Sequence, residues 1–188
     1  IQFPVTFVEG TRFRDAVDAI AAAGPFEIEL AGLDDAEIMA RIGIDDDHPE
    51  GWLFPDTYLF PRGTTDTEIL KRAHQRMKDV LAEEWAARSD DLPIESPYEA
   101  LILASIIEKE TAVPAERPAI AGVFVRRLEK GMKLQTDPTV IYGMGDDYDG
   151  NIRRKDLREA TPYNTYVIPA LPPTPIALAG REAIHAAL

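Results

Sequence analysis

LILASIIEKETAVPAERP, residues 101–118, decides how the chain folds. The seven residues from Leu101 to Ile107 are apolar or small, Ser105 included, and Glu108, Lys109, Glu110 and Thr111 follow with no turn signal between. Just upstream, Ser96 stands three residues before Glu99, and Pro97 occupies the first helical position, where its missing N–H costs nothing. The run therefore reads as a buried helix that carries carboxylates on its last turn. On that helix Glu108 shares a face with Leu101, Ala104 and Ser105, while Glu110 shares one with Leu103, Ile106 and Ile107 and is partly shielded. Lys109 points between them. Two readings are open. A carboxyl in apolar surroundings loses hydration of its charged form, so its pKa rises towards the range of a general acid. Alternatively the helix reaches the surface at Lys109 and both acids are solvated end residues.

Outward from this stretch, Thr65 with Glu68 forms a second capping box, and Ile69, Leu70, Ala73, Met77, Val80, Leu81 and Trp85 keep helical spacing to about Arg88. A further helix is expected from about Ala115 to Lys130, closed by Gly131, and a short one from Asp137 through Ile141. At the N-terminus, FPVTFV (residues 3–8) reads as a strand. Thr11 then caps a helix with Phe13, Ala16, Val17 and Ile20 on one face, and Asp34 or Asp35 caps another that stops at Gly43. EGWLFPDTYLFPRGTT, residues 50–65, is punctuated by Pro55 and Pro61 and suits edge strands or extended loops. TPYNTYVIPALPPTPIALAG, residues 161–180, is too rich in proline for a regular element; a loop of that length in a compact domain is usually functional or disordered, and its tyrosines and aliphatics favour an ordered one. The fold class expected is α+β: a small strand-helix-helix unit over residues 1–49, then a mostly helical domain over 50–188 with short strands and a long proline-rich loop. The chain opens inside a strand and stops inside a helix, so both ends look cut.

The chain has 188 residues, 45% of them hydrophobic, which is enough for a real core. Acids outnumber bases by 33 to 20, for a net charge of −13, which disfavours nucleic acid and anionic membrane surfaces as partners. The absence of cysteine removes disulfides, thiolate metal sites and a cysteine nucleophile. No apolar run is long enough to span a bilayer. Asp147, Asp149 and Asn151 fall short of a calcium-loop spacing, and His48, His74 and His185 lie at no metal-ligand spacing and read as surface residues. No phosphate-binding glycine loop and no Gly-x-Ser-x-Gly elbow is present. Trp52, Tyr58, Tyr142, Tyr163 and Tyr166 suit either a carbohydrate groove or a core.

Taken in order, EGWLFPDTYLF, ASIIEKET, LQTDPTVIYG, YNTY and LPPTPIALAG resemble the motifs of the endolytic murein transglycosylases of the MltG (YceG-like) family, over nearly the whole chain. The resemblance places the family's catalytic glutamate on Glu108. It implies cleavage of the β-1,4 bond between N-acetylmuramic acid and N-acetylglucosamine without water, leaving a 1,6-anhydromuramyl end and terminating strand elongation. No cofactor or metal is called for. Glu110, Gln135, Asp137, Tyr163 and Asn164 lie in the matching motifs and become the groove candidates, each with the alternative of a structural polar bond. Asp56 suits a turn brace. The first fifty residues then look like a LysM-like, glycan-binding subdomain. The implied partners are peptidoglycan glycan strands and peptidoglycan synthases. The implied location is the bacterial inner membrane, single-pass through a helix absent from this chain, with the catalytic part in the periplasm. The family continues into a C-terminal segment that is missing here and is thought to complete the catalytic region.

Two other readings compete. A muramidase that uses water needs a second carboxylate, Glu110 or Asp137, across the cleft from Glu108. A non-catalytic glycan-binding or scaffold protein would need neither.

Overall fold

A computed structural model describes residues 1–188. The chain runs β1 (Gln2–Thr6), α1 (Phe13–Ala22), α2 (Asp35–Ile42), β2 (Thr57–Pro61), α3 (Asp66–Ala86), α4 (Pro97–Glu110), α5 (Arg117–Glu129), α6 (Asp137–Met144) and α7 (Arg181–Ala187). Single 3₁₀ turns precede α5 and follow α6, and a third covers Asp156–Arg158. No helix is long and apolar enough to cross a membrane.

The aromatic segment after Pro55 provides the partner of the first strand. β1 and β2 pair antiparallel, with Phe3 opposite Phe60 and Val5 opposite Tyr58. In β2, Tyr58 and Phe60 turn inward between exposed neighbours, the period of a sheet with one buried face. Val5, Tyr58 and Phe60 join Phe13, Ile20, Ile38, Ile42, Leu53, Ile69 and Leu70 in one apolar core, so residues on both sides of position 50 complete it. The C-terminal half of α3 belongs to a second core, with α4, α5 and α7, containing Met77, Leu81, Leu101, Leu103, Ile106 and Ile184. Trp52 packs against both.

The helix starts follow their caps. Thr65 and Ser96 each accept the backbone N–H three residues on, as does Asp34. At α4 the reciprocal half of the box departs from the usual pattern, because the Glu99 carboxylate accepts from Glu95 N–H instead of Ser96 N–H. Thr11 does not cap α1. Its hydroxyl donates to the Val8 carbonyl and closes the preceding turn, and Arg12 stands at the cap position. His74 is not a surface residue either: it is buried, its Nδ1 lies 3.0 Å from the Trp52 carbonyl, and burial lowers its pKa. Asp149, in the polar turn after α6, pairs with Arg153 at 2.5 Å.

Residues 159–180 contain no helix or strand. They are nevertheless pinned to α4, since Ser105, fully buried, accepts the Ile176 N–H at 3.0 Å. Gly51 makes room for the same segment. Its φ is +84°, and a Cβ there would come 2.6 Å from Pro175 Cβ, so no other residue fits.

Candidate active site

α4 is apolar on every side, and each residue from Ala100 to Glu108 is buried. Burial on all faces means that the helix lies within the protein and delivers its end to an internal junction. Glu108 stands at that junction with a side chain only 4% exposed. Its Oε1 accepts from Arg117 Nη2 at 2.9 Å, and its Oε2 accepts from the Gly180 backbone N–H at 2.9 Å. Both partners donate, so the carboxyl is held as an acceptor on both oxygens. The apolar surroundings expected from the helix face are present on α4, but the site brings an arginine to the carboxyl that they do not foretell. Leaving such a buried acid unpaired would cost several kcal/mol of lost hydration, which explains why α5 begins with a buried arginine.

Arg117 serves three carboxylates. Besides Glu108, its Nη1 reaches Glu182 Oε2 at 2.5 Å and its Nη2 lies 3.7 Å from Glu9 Oε2. Its Nε–H is buried without a partner. Glu9 arrives from the turn after β1, held there because Gly10 N–H donates to the Leu178 carbonyl and Lys109 Nζ donates to the Gly10 carbonyl. Burial raises the Glu9 pKa, and the charges of Glu108 and Glu182 push the same way against Arg117. Glu9, Arg117 and Glu182 do not stand out by sequence pattern, and Gly180 closes the LPPTPIALAG motif without any sign of its contact with Glu108. Arg117 lies nine residues after Glu108 within the stretch that opens on Leu101, beyond helical reach, and the others come from the two ends of the chain.

The other expected site residues gather elsewhere. Glu110 is exposed rather than shielded, and its carboxylate accepts from the Thr136 hydroxyl at 2.8 Å. Asp137 accepts from the Tyr166 hydroxyl at 2.6 Å. Thr136, Thr139 and Thr165 are joined by hydroxyl contacts that tie LQTDPT to YNTY. Gln135 is exposed beside this network and has φ +53°, a strained conformation for a non-glycine residue. Asn164 is buried and donates to the Asp156 and Glu159 carbonyls while accepting from Tyr166 N–H. The Tyr163 hydroxyl meets Thr174 Oγ1 at 2.8 Å, and its ring packs on Tyr142 with centroids 4.9 Å apart.

Two clefts flank the end of α4. One, about 260 Å³, is lined by Arg12, Lys109, Pro138, Tyr142, Tyr148 and Ile176 among others. The other, about 560 Å³, is lined by Arg117, Pro118, Arg181, Glu182 and His185 together with Glu84. Glu108 lines neither directly; it adjoins the first through Lys109 and the second through Arg117.

A further buried acid joins the N-terminal unit to the helical part. Glu50 Oε1 accepts the Phe13 N–H at the start of α1 at 2.8 Å, and its Oε2 accepts from the Tyr142 hydroxyl on α6 at 3.1 Å. Burial pushes its pKa up to about 7. Arg12 lies over the Tyr142 ring at 5.0 Å.

A buried acid on a helix end, a motif-bearing loop pinned to that helix and a strand-helix-helix-strand unit packed alongside together define the class. The chain belongs to the YceG-like family, which it matches over residues 1–188. It is 35% identical to the endolytic murein transglycosylase of Bacillus subtilis over 99% of its own length and 56% of that protein's. A Streptococcus pneumoniae protein of the same name is 31% identical over 74% of this chain and 26% of its own. The crystal structure of a YceG-like protein from Listeria monocytogenes superposes with a TM-score of 0.76 at 29% identity, covering 98% of this chain and 65% of that one. The chain thus spans about half the length of the Bacillus relative.

Proposed function

We propose that the protein is an endolytic lytic transglycosylase of peptidoglycan, with Glu108 as its single acid/base residue. The observation that carries the reading is the placement of Glu108 as the buried carboxyl at the end of an apolar helix, inside the ASIIEKET motif. In the reaction, Glu108 donates a proton to the oxygen linking N-acetylmuramic acid to N-acetylglucosamine. The C1–O bond breaks through an oxocarbenium-like state, the muramyl 6-hydroxyl attacks C1, and its proton returns to Glu108. An internal nucleophile spares the enzyme a second carboxylate and gains the rate advantage of a tethered reactant. The likeness to proteins named endolytic murein transglycosylases supports the substrate class.

Gln135, exposed and strained, is the groove residue this reading favours for hydrogen bonding to acetamido groups. Asn164, with its amide bonded to backbone on three sides, braces the loop. Tyr163, Glu110 and Asp137 order the loops on which the sugar would rest. The strand-helix-helix-strand unit serves as the LysM-like glycan-binding subdomain. The working site is the extracytoplasmic face of the inner membrane, beside peptidoglycan synthases.

A muramidase that uses water is the second reading; its second carboxylate, expected in Glu110 or Asp137, would instead be Glu9, which faces the same guanidinium nitrogen as Glu108. The mass of the digestion products separates the two, since a transglycosylase product is one water lighter. Recovery of reducing ends alone would overturn the transglycosylase reading.

A further inference from the structure

We propose that Glu9 is the positioning residue that exchanges a proton with Glu108 and takes Arg117 from it in the same step. The proposal rests on the acid/base reading of Glu108 and meets a difficulty that the geometry raises for it. A general acid must carry a proton, yet both oxygens of Glu108 are engaged by donors.

Glu9 reaches the same junction from the solvent side, its side chain 53% exposed. Arg117 Nη2 lies 2.9 Å from Glu108 and 3.7 Å from Glu9, so one nitrogen faces both carboxyls. Gly180 stands between them. Its N–H donates to Glu108, and a Cβ at this position would come 2.3 Å from Glu9 Oε1, so Glu9 lies against the residue that holds Glu108. The charged groups facing this pair are Lys109 from α4, Arg117 from α5 and Glu182 from α7. Three carboxylates on one guanidinium favour keeping one proton among them. Burial and the charges of Glu108 and Glu182 raise the pKa of Glu9 against the pull of Arg117.

The step is balanced. A proton leaves the Glu9 carboxyl and binds a Glu108 oxygen; Glu9 becomes the carboxylate, and the guanidinium closes on it while loosening from Glu108. The unpartnered Nε–H leaves Arg117 a spare donor for the rearrangement. Net charge is unchanged, and no other reactant is needed. Because the muramyl hydroxyl returns a proton to Glu108 at the end of each turnover, the exchange has only to set the resting state.

The test is the pH profile of kcat/KM for the full-length parent, Glu9→Gln and Glu9→Asp on purified glycan strands, with Glu108→Gln alongside. In Glu9→Gln the carboxylate that faces Glu108 across the Arg117 guanidinium is replaced by a neutral amide. The alkaline limb of Glu9→Gln should then move down by about one pH unit, giving roughly tenfold lower kcat/KM above that limb and near-parental values on the acid side. Glu9→Asp should keep the limb close to the parent's. A Glu9→Gln profile that superposes on the parent's, or one lowered by the same factor at every pH, would overturn the proposal while an inactive Glu108→Gln left the acid/base reading standing. Parental turnover by Glu108→Gln would sink both.

Discussion

Arg117 and Glu108, nine residues apart and on different helices, form a buried ion pair at 2.9 Å. The arginine also faces Glu9 and Glu182, so its removal would leave three carboxylates facing one another. Arg117→Ala should destabilise the chain by roughly 3–5 kcal/mol, the cost of stranding one partner of a buried pair. The loss should be smaller at pH 5 than at pH 8, because Glu9, whose pKa burial raises, sheds part of its charge towards the lower pH and relieves the repulsion. Urea unfolding at the two pH values measures this, and an equal loss at both would count against the shared role of the guanidinium.

Glu50 gives a second pH dependence, of known sign. Its folded pKa of about 7 lies above the ordinary carboxylate value of 4.5 because burial disfavours the charged form. A raised folded pKa means that the folded state binds the extra proton. Its contribution is therefore fully present below pH 4.5 and is lost as pH rises through about 7. The difference amounts to about 3 kcal/mol. Glu50→Gln keeps the contacts to Phe13 and Tyr142 without the charge, so its stability should fall less than the parent's between pH 5 and 8.

Gly51→Ala should cost about 1–3 kcal/mol, through both its left-handed backbone and the contact with Pro175. Since Pro175 belongs to the segment that continues to Gly180, the substitution should also lower turnover. A melting temperature equal to the parent's would show that the segment moves aside freely.

Asn164 and Gln135 lie in neighbouring motifs and should separate cleanly. Asn164→Ala removes three hydrogen bonds between a buried side-chain amide and the backbone and should lower stability by roughly 2 kcal/mol or more. Gln135→Ala, at an exposed position, should leave melting nearly unchanged and raise KM for glycan. Calorimetry with steady-state kinetics on both variants checks the division.

Helix starts were legible because a cap and its partner lie within four residues, as Thr65 and Glu68 do. The end of α4 was legible as a place where a carboxyl leaves an apolar face. The pairing of β1 with β2 was not, since residues some fifty positions apart must meet before the alternation of Tyr58 and Phe60 acquires a partner. The surroundings of Glu108 were hidden for the same reason. Glu9 and Arg117 carry no local pattern, Gly180 merely ends the LPPTPIALAG motif, and the three converge only when the N-terminal turn and the proline-rich segment pack against α4. His74 read as a surface residue because its sequence neighbours are charged, whereas Trp52 covers it from a distant segment.

The most direct measurement is turnover of purified glycan strands by full-length Glu108→Gln beside the parent, with binding of the same strands measured in parallel. The account predicts retained binding and a rate lower by roughly 10²–10⁴, the usual contribution of a general acid/base. Turnover at the parent's rate would contradict it.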